Sequence, residues 1–234
     1  MEFLECIKKR ISQDTRLKNE LYSLILYGSF VRGDFIENVS DLDFFAVILK
    51  DESVIPKLRQ ILEDCAKKTN AIEVDLAWEY LENISDPLLK GIPFKFLTIY
   101  QQDFLENHVV VYGNDIANIL PRYEFRELLS WRAGRILELS EKFRENRKMM
   151  HILAGETARL LALINGAKSL RKEDIVNALE KIQDEEVLEI YKAYLDGRKL
   201  KFDEESLVKF IEARIEKIKK ASSGSPLEQF DILR

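Results

Sequence analysis

Apolar residues follow two different rhythms along this chain of 234 residues, and the change falls near residue 120. Before it, short runs of strand character alternate with helical stretches. Leu21–Tyr27, Leu42–Leu49, Ile72–Trp78 and Val109–Tyr112 are predicted strands, and Phe3–Asn19 and Val54–Thr69 are predicted helices. In the third strand the period is two: Ile72, Val74 and Leu76 alternate with Glu73 and Asp75, the pattern of a half-buried strand whose second face looks into a cleft or solvent.

After Pro121 no strand pattern returns. Apolar residues recur at helical spacing in five groups, marked by Phe125, Leu128, Ile136, Leu139 and Phe143, then Leu153, Leu160, Leu161 and Ile164, then Ile175, Leu179 and Ile182, then Leu188, Tyr191 and Leu195, then Leu207, Ile211, Ile215 and Ile218. Asn165-Gly166 and Asp196-Gly197 punctuate them, as glycine just past a helix end does. The expected architecture is α+β: a small mixed-sheet domain over residues 1–120, an all-α helical bundle over 121–221, and a flexible tail over 222–234 that opens with Ser222-Ser223-Gly224-Ser225-Pro226.

Composition narrows the setting. Hydrophobic residues make up 46%, enough for a sizeable core, and no stretch of eighteen apolar residues exists. The start, Met1-Glu2-Phe3-Leu4-Glu5, is acidic where a secretion signal is basic, so a cytoplasmic protein without a membrane span is expected. Cys6 and Cys65 lie far apart with no metal-binding spacing and read as ordinary thiols. A formal net charge of −5 weighs against long nucleic acid as a partner, and Arg144, Arg147 and Lys148 read as the solvated end of a helix.

The chemistry concentrates in two short runs. Leu24-Ile25-Leu26-Tyr27 ends at Gly28-Ser29, whose small residues let the backbone approach a ligand, with Arg32-Gly33 following. After Ser29 and eleven intervening residues, Asp41-Leu42-Asp43 opens the next strand, and its spacing turns both carboxylates to one face. Two acids side by side on a strand repel unless a cation lies between them, so Asp41 and Asp43 form a candidate clamp for divalent metal. Glu73 and Asp75 lie on one face of the third strand, and the residues alone leave open which of them would join the pair. Arg32 has two open roles, a phosphate contact or a surface ion pair with Asp34 or another acid.

Gly28-Ser29 followed by Ser40-Asp41-Leu42-Asp43, together with the later Val74-Asp75-Leu76, resembles the signature of the DNA polymerase β-like nucleotidyltransferase superfamily. The likeness spans roughly residues 20–115 and includes Val109-Val110-Val111-Tyr112-Gly113 at the domain's end. It implies that Asp41, Asp43 and Asp75 hold two Mg²⁺ ions, that Gly28, Ser29 and Arg32 meet the phosphates of ATP or another NTP, and that Asp75 also accepts a proton. A helical second domain resembles the aminoglycoside-type and streptomycin-type members, which place the acceptor between two domains. Gly155-Glu156-Thr157-Ala158-Arg159, Asn165-Gly166 and Arg171-Lys172 are similar to that domain. On this likeness Lys172 reaches the triphosphate, against the plain reading of a surface lysine, and Glu156 is either a base or a helix-surface residue.

The implied function is transfer of a nucleoside monophosphate, AMP from ATP, to a hydroxyl of a small molecule. The acidic balance suits a cationic acceptor. The alternatives are modification of a protein partner and a non-catalytic nucleotide-binding descendant. Arg144 and His151 resemble the Arg/His spacing of HEPN ribonucleases, a short likeness that carries little beside the acid motif.

Overall fold

The computed structural model describes residues 2–87, 95–196 and 201–223. They divide into two compact units, Met1–Arg122 and Tyr123–Arg234. The first begins with α1 (Glu2–Gln13), α2 (Thr15–Glu20), β1 (Leu21–Tyr27), the short α3 (Ser29–Arg32), β2 (Leu42–Ile48), α4 (Ile55–Ala66) and β3 (Val74–Tyr80). It continues through α5 (Leu81–Ile84), a 3₁₀ turn Lys95–Leu97, α6 (Gln101–Glu106) and β4 (Val109–Gly113). The second unit holds α7 (Phe125–Lys142), α8 (Arg147–Ile164), α9 (Lys172–Ile182), α10 (Glu185–Leu195) and α11 (Glu204–Ser223).

The strands form one sheet in the order β3-β2-β1-β4, with β1 antiparallel to β2 and β4 and β2 parallel to β3. The two central strands are buried on both faces, which is why their sequences read as continuous apolar runs. Leu24, Leu26, Phe44 and Ala46 pack with α1 and α4 residues such as Ile7, Ile11, Leu58 and Leu62. Ile25, Phe45 and Val47 form a separate core with Ile84, Leu97, Phe104, Ile116 and Leu120.

Two elements differ from the periodicity. The predicted helix Phe3–Asn19 is two helices, because the Asp14 side chain accepts the N–H groups of Arg16 and Leu17 at 3.0 Å and caps a new helix start. The third strand begins at Val74, two residues later than expected. Ile72 donates its N–H to the carbonyl of Ser40 at 3.1 Å and so belongs to the loop that leads in.

The cysteine expectation is overturned. Cys6 and Cys65 form a disulfide, with Cα atoms 5.8 Å apart. α1 and α4 lie against the same sheet face and against each other, and one helical turn on from the bridge Arg10 pairs with Asp64 at 3.0 Å. A separation of 59 residues gives no local sign of this neighbourhood.

In the second unit α8 is the central helix and packs against α7, α9, α10 and α11. It is therefore buried around its circumference, from Met150 and Leu153 to Glu156, Thr157 and Ala158. Gly155 is there because α10 comes close: a Cβ at that position would lie 2.2 Å from the Tyr194 ring. Gly166 has φ 90° just past the end of α8, the conformation its place in the sequence predicts. α11 runs through Ser222 and Ser223, and the rest of the expected tail, 224–234, lies outside the described residues, as does Gly197.

Candidate active site

Strand register assembles the site. Tyr27 of β1 pairs with Asp43 of β2, and Asp43 pairs with Asp75 of β3, so the three side chains form one row across three neighbouring strands. Alternation turns that row to the same face as Ile25, Phe45 and Ala77. Asp41, two residues before Asp43, precedes the strand. Glu73 also precedes its strand, and its carbonyl accepts the N–H of Leu42 at 3.0 Å. Of the two candidate third acids, Asp75 is the one beside Asp43.

The turn after β1 brings backbone against this row. Gly28 has φ 77°, and a Cβ there would lie 2.1 Å from an Asp43 carboxylate oxygen. Only glycine permits that approach. Ser29 starts α3 and is buried. Its carbonyl accepts from Gly33 and Asp34, each at 3.1 Å, with Gly33 in the left-handed conformation.

Arg32 takes the ion-pair role. Its Nη1 donates to Asp103 of α6 at 2.8 Å and its Nε lies 3.3 Å from Asp34, with the side chain 13% exposed. α3 is thereby tied to α6 on the acid face. The 3₁₀ turn Lys95–Leu97 adds a lid of aromatic rings. Phe96 packs on Tyr27 with centroids 4.3 Å apart and on Phe45 at 5.1 Å, and Phe104 meets Tyr27 at 5.7 Å.

The electrostatics follow from this geometry. Burial and the carboxylates of Asp75 and Asp41 push the Asp43 carboxyl up to about 7, against the opposing charges of Arg32 and Lys95. Burial, with Asp43 and Asp75, also holds the Tyr27 phenol well above its usual range. At Asp43, burial and the two neighbouring carboxylates outweigh the charges of Arg32 and Lys95. Carboxylate oxygens are the hard donors that Mg²⁺ prefers, and the neighbouring carboxylates fit a cation. Among the described residues no three His, Cys, Asp or Glu side chains are drawn close enough to hold an ion.

Two roles left open by the sequence in the second unit are settled by packing. Glu156 is not a surface residue. It is 2% exposed and accepts Nε and Nη2 of Arg132 at 2.6 and 2.8 Å. His151 is buried between the Arg147 carbonyl, 3.0 Å from Nδ1, and the Phe202 N–H, 3.2 Å from Nε2. Both ring nitrogens serve structure. Lys172 is the first residue of α9, and the role given it by the resemblance rests on that resemblance alone.

Sequence reasoning missed Tyr27, Lys95 and Phe96 as neighbours of the acids. Tyr27 was open to discovery, since an antiparallel pairing of the first two strands across the Gly28 turn sets it beside Asp43. Residues 95 and 96 sit in a stretch without periodicity and carried no signal.

Residues 5–102 match the model of the nucleotidyltransferase domain family. That segment, less than half of the chain, is similar to nucleotidyltransferase domains. The match takes in Gly28, Ser29, all three aspartates, Lys95 and Phe96, and it meets the expectation of an enzyme of this class. The fold is similar to that of the spectinomycin adenyltransferase AAD(9) from Enterococcus faecialis, solved with ATP and spectinomycin. The TM-score is 0.62 at 21% identity, over 93% of this chain and 98% of that one. No curated protein matches the chain. Among the described residues no helix is long and apolar enough to cross a membrane.

Proposed function

We propose that this nucleotidyltransferase moves AMP from ATP to a hydroxyl of a small, cationic acceptor. The observation that carries the reading is the row of Asp43 and Asp75 with Asp41 beside it, on one face of the sheet and next to the Gly28-Ser29 turn. The ATP and spectinomycin in the similar structure support the nucleotide and the class of acceptor. The net charge of −5 supports a cationic one.

In this reading the acceptor oxygen forms a bond to the α-phosphorus, the bridging bond to the β-phosphate breaks, and pyrophosphate leaves with the electron pair. Asp75, at the open edge of the row, takes the proton of the acceptor hydroxyl. Asp41, Asp43 and Asp75 would hold two Mg²⁺ ions, which supply charge neutralisation at the transferring phosphate. Gly28 and Ser29 border the phosphates, and Arg32 fixes α3 by its pairs with Asp34 and Asp103. Use of ATP supports a cytoplasmic setting, a compartment that disfavours the Cys6–Cys65 bond.

The test is mass spectrometry of products after incubation with mixed nucleoside triphosphates, Mg²⁺ and a panel of hydroxylated amines and aminocyclitols. One acceptor should gain an adenylyl group with release of pyrophosphate, and Asp43→Asn should abolish both. Gain of a different nucleotide corrects the donor. Wild-type protein that binds no Mg·ATP sinks the reading.

A further inference from the structure

Tyr27 has no part in the chemistry so far, yet it lies at one end of the acid row. We propose that its hydroxyl donates a hydrogen bond to the pyrophosphate end of the bound nucleotide. The inference rests on the function proposed above and adds a contact to the same site.

Position is the first argument. The row runs Asp75, Asp43, Tyr27 across β3, β2 and β1. In-line displacement has an attacking end and a leaving end on opposite sides of the phosphorus. With Asp75 at the attacking end, Tyr27 stands at the other, and the chain passes from it directly into Gly28 and Ser29.

The second argument concerns what a phenol is for. The Tyr27 ring is held by Phe96 at 4.3 Å and Phe104 at 5.7 Å, a seat that phenylalanine would fill equally well. Tyr27 is half-buried, and its hydroxyl is not shut away from solvent, so it can meet a ligand that enters the acid face. Among the described residues none forms a hydrogen bond with it. A phenol is an O–H donor at neutral pH, and a phosphate oxygen is an acceptor of matching kind.

The experiment is calorimetric titration of Mg·pyrophosphate and, separately, of AMP into wild type and Tyr27→Phe, with melting curves of both proteins. Phenylalanine keeps the ring stack, so the melting temperature should hold. Affinity for Mg·pyrophosphate should fall about tenfold, the worth of one hydrogen bond to a charged group, and affinity for AMP should not change. Unchanged pyrophosphate affinity, or equal losses for pyrophosphate and AMP, overturns the inference. Wild-type protein that binds neither Mg·ATP nor Mg·pyrophosphate overturns the functional reading instead.

Discussion

The first unit and the second each place carboxylates among apolar neighbours, and they treat the charge in opposite ways. On the sheet, Asp43 is flanked by Asp75 and Asp41, and burial together with those two carboxylates drives its carboxyl up to about 7 against the opposing charges of Arg32 and Lys95. In the bundle, Glu156 is more deeply buried, yet both its oxygens are taken by one guanidinium. A buried acid with a fitted partner is part of the scaffold. Acids crowded together on one face repel each other, a load that a bound cation relieves.

Asp43→Asn should give the largest effect. Loss of one charge from the clamp should lower transfer by on the order of 10³ or more, while melting in metal-free buffer should rise or stay level because the repulsion is gone. Steady-state rates and melting curves check it, and an active Asp43→Asn protein would dissolve the contrast between the two units.

Glu156→Ala should act in the reverse sense. It leaves Arg132 buried without its partner and should cost about 3–5 kcal/mol of stability. Denaturant unfolding of the second unit measures this. A cost under about 1 kcal/mol would mean that the bidentate pair contributes no more than an exposed one.

A smaller step separates two acids of one segment. Asp75→Asn should lower turnover by on the order of 10², whereas Glu73→Gln, outside the row, should change it little. The reversed result moves the proton acceptor to Glu73.

The mildest effect is on pH dependence without metal. The folded state raises the Asp43 carboxyl from 3.8 to about 7, so its contribution to stability is complete below the lower value and is lost as pH rises through the upper one. In EDTA, wild type should lose melting temperature between pH 5 and pH 8 relative to Asp43→Asn. Mg²⁺ at pH 8 should restore it in wild type only. Parallel curves for the two proteins would show that Asp43 carries no such load.

The parts of this molecule that were legible in sequence are those written locally. Gly28-Ser29 and Asp41-Leu42-Asp43 declare themselves because turn chemistry and strand alternation act over a few residues. The Asp14 cap was equally readable, since an aspartate before Thr15-Arg16-Leu17 is a helix start, although periodicity alone ran through it. The choice of Asp75 over Glu73 needed the register of β2 with β3, which single-strand patterning leaves open by two residues. Glu156 was misread because a polar residue on a helix is taken to face water, and from Met150 to Ile164 α8 has no exposed residue. The Cys6–Cys65 bond and the Tyr27–Phe96 contact join elements distant in sequence, so no window along the chain contains either pair.

The disulfide closes a covalent ring. Within it lie β1, α3, β2 and nearly all of α4, and with them Tyr27, Gly28, Ser29, Asp41 and Asp43; of the three aspartates only Asp75 is outside. A protease that cuts the exposed stretch around Glu37 and Asn38 therefore does not release the two halves of the acid site. They stay tethered through sulfur, and refolding of the nicked chain remains an intramolecular search at high effective concentration. On a gel the nicked protein should migrate as one species until reductant is added, and then as two.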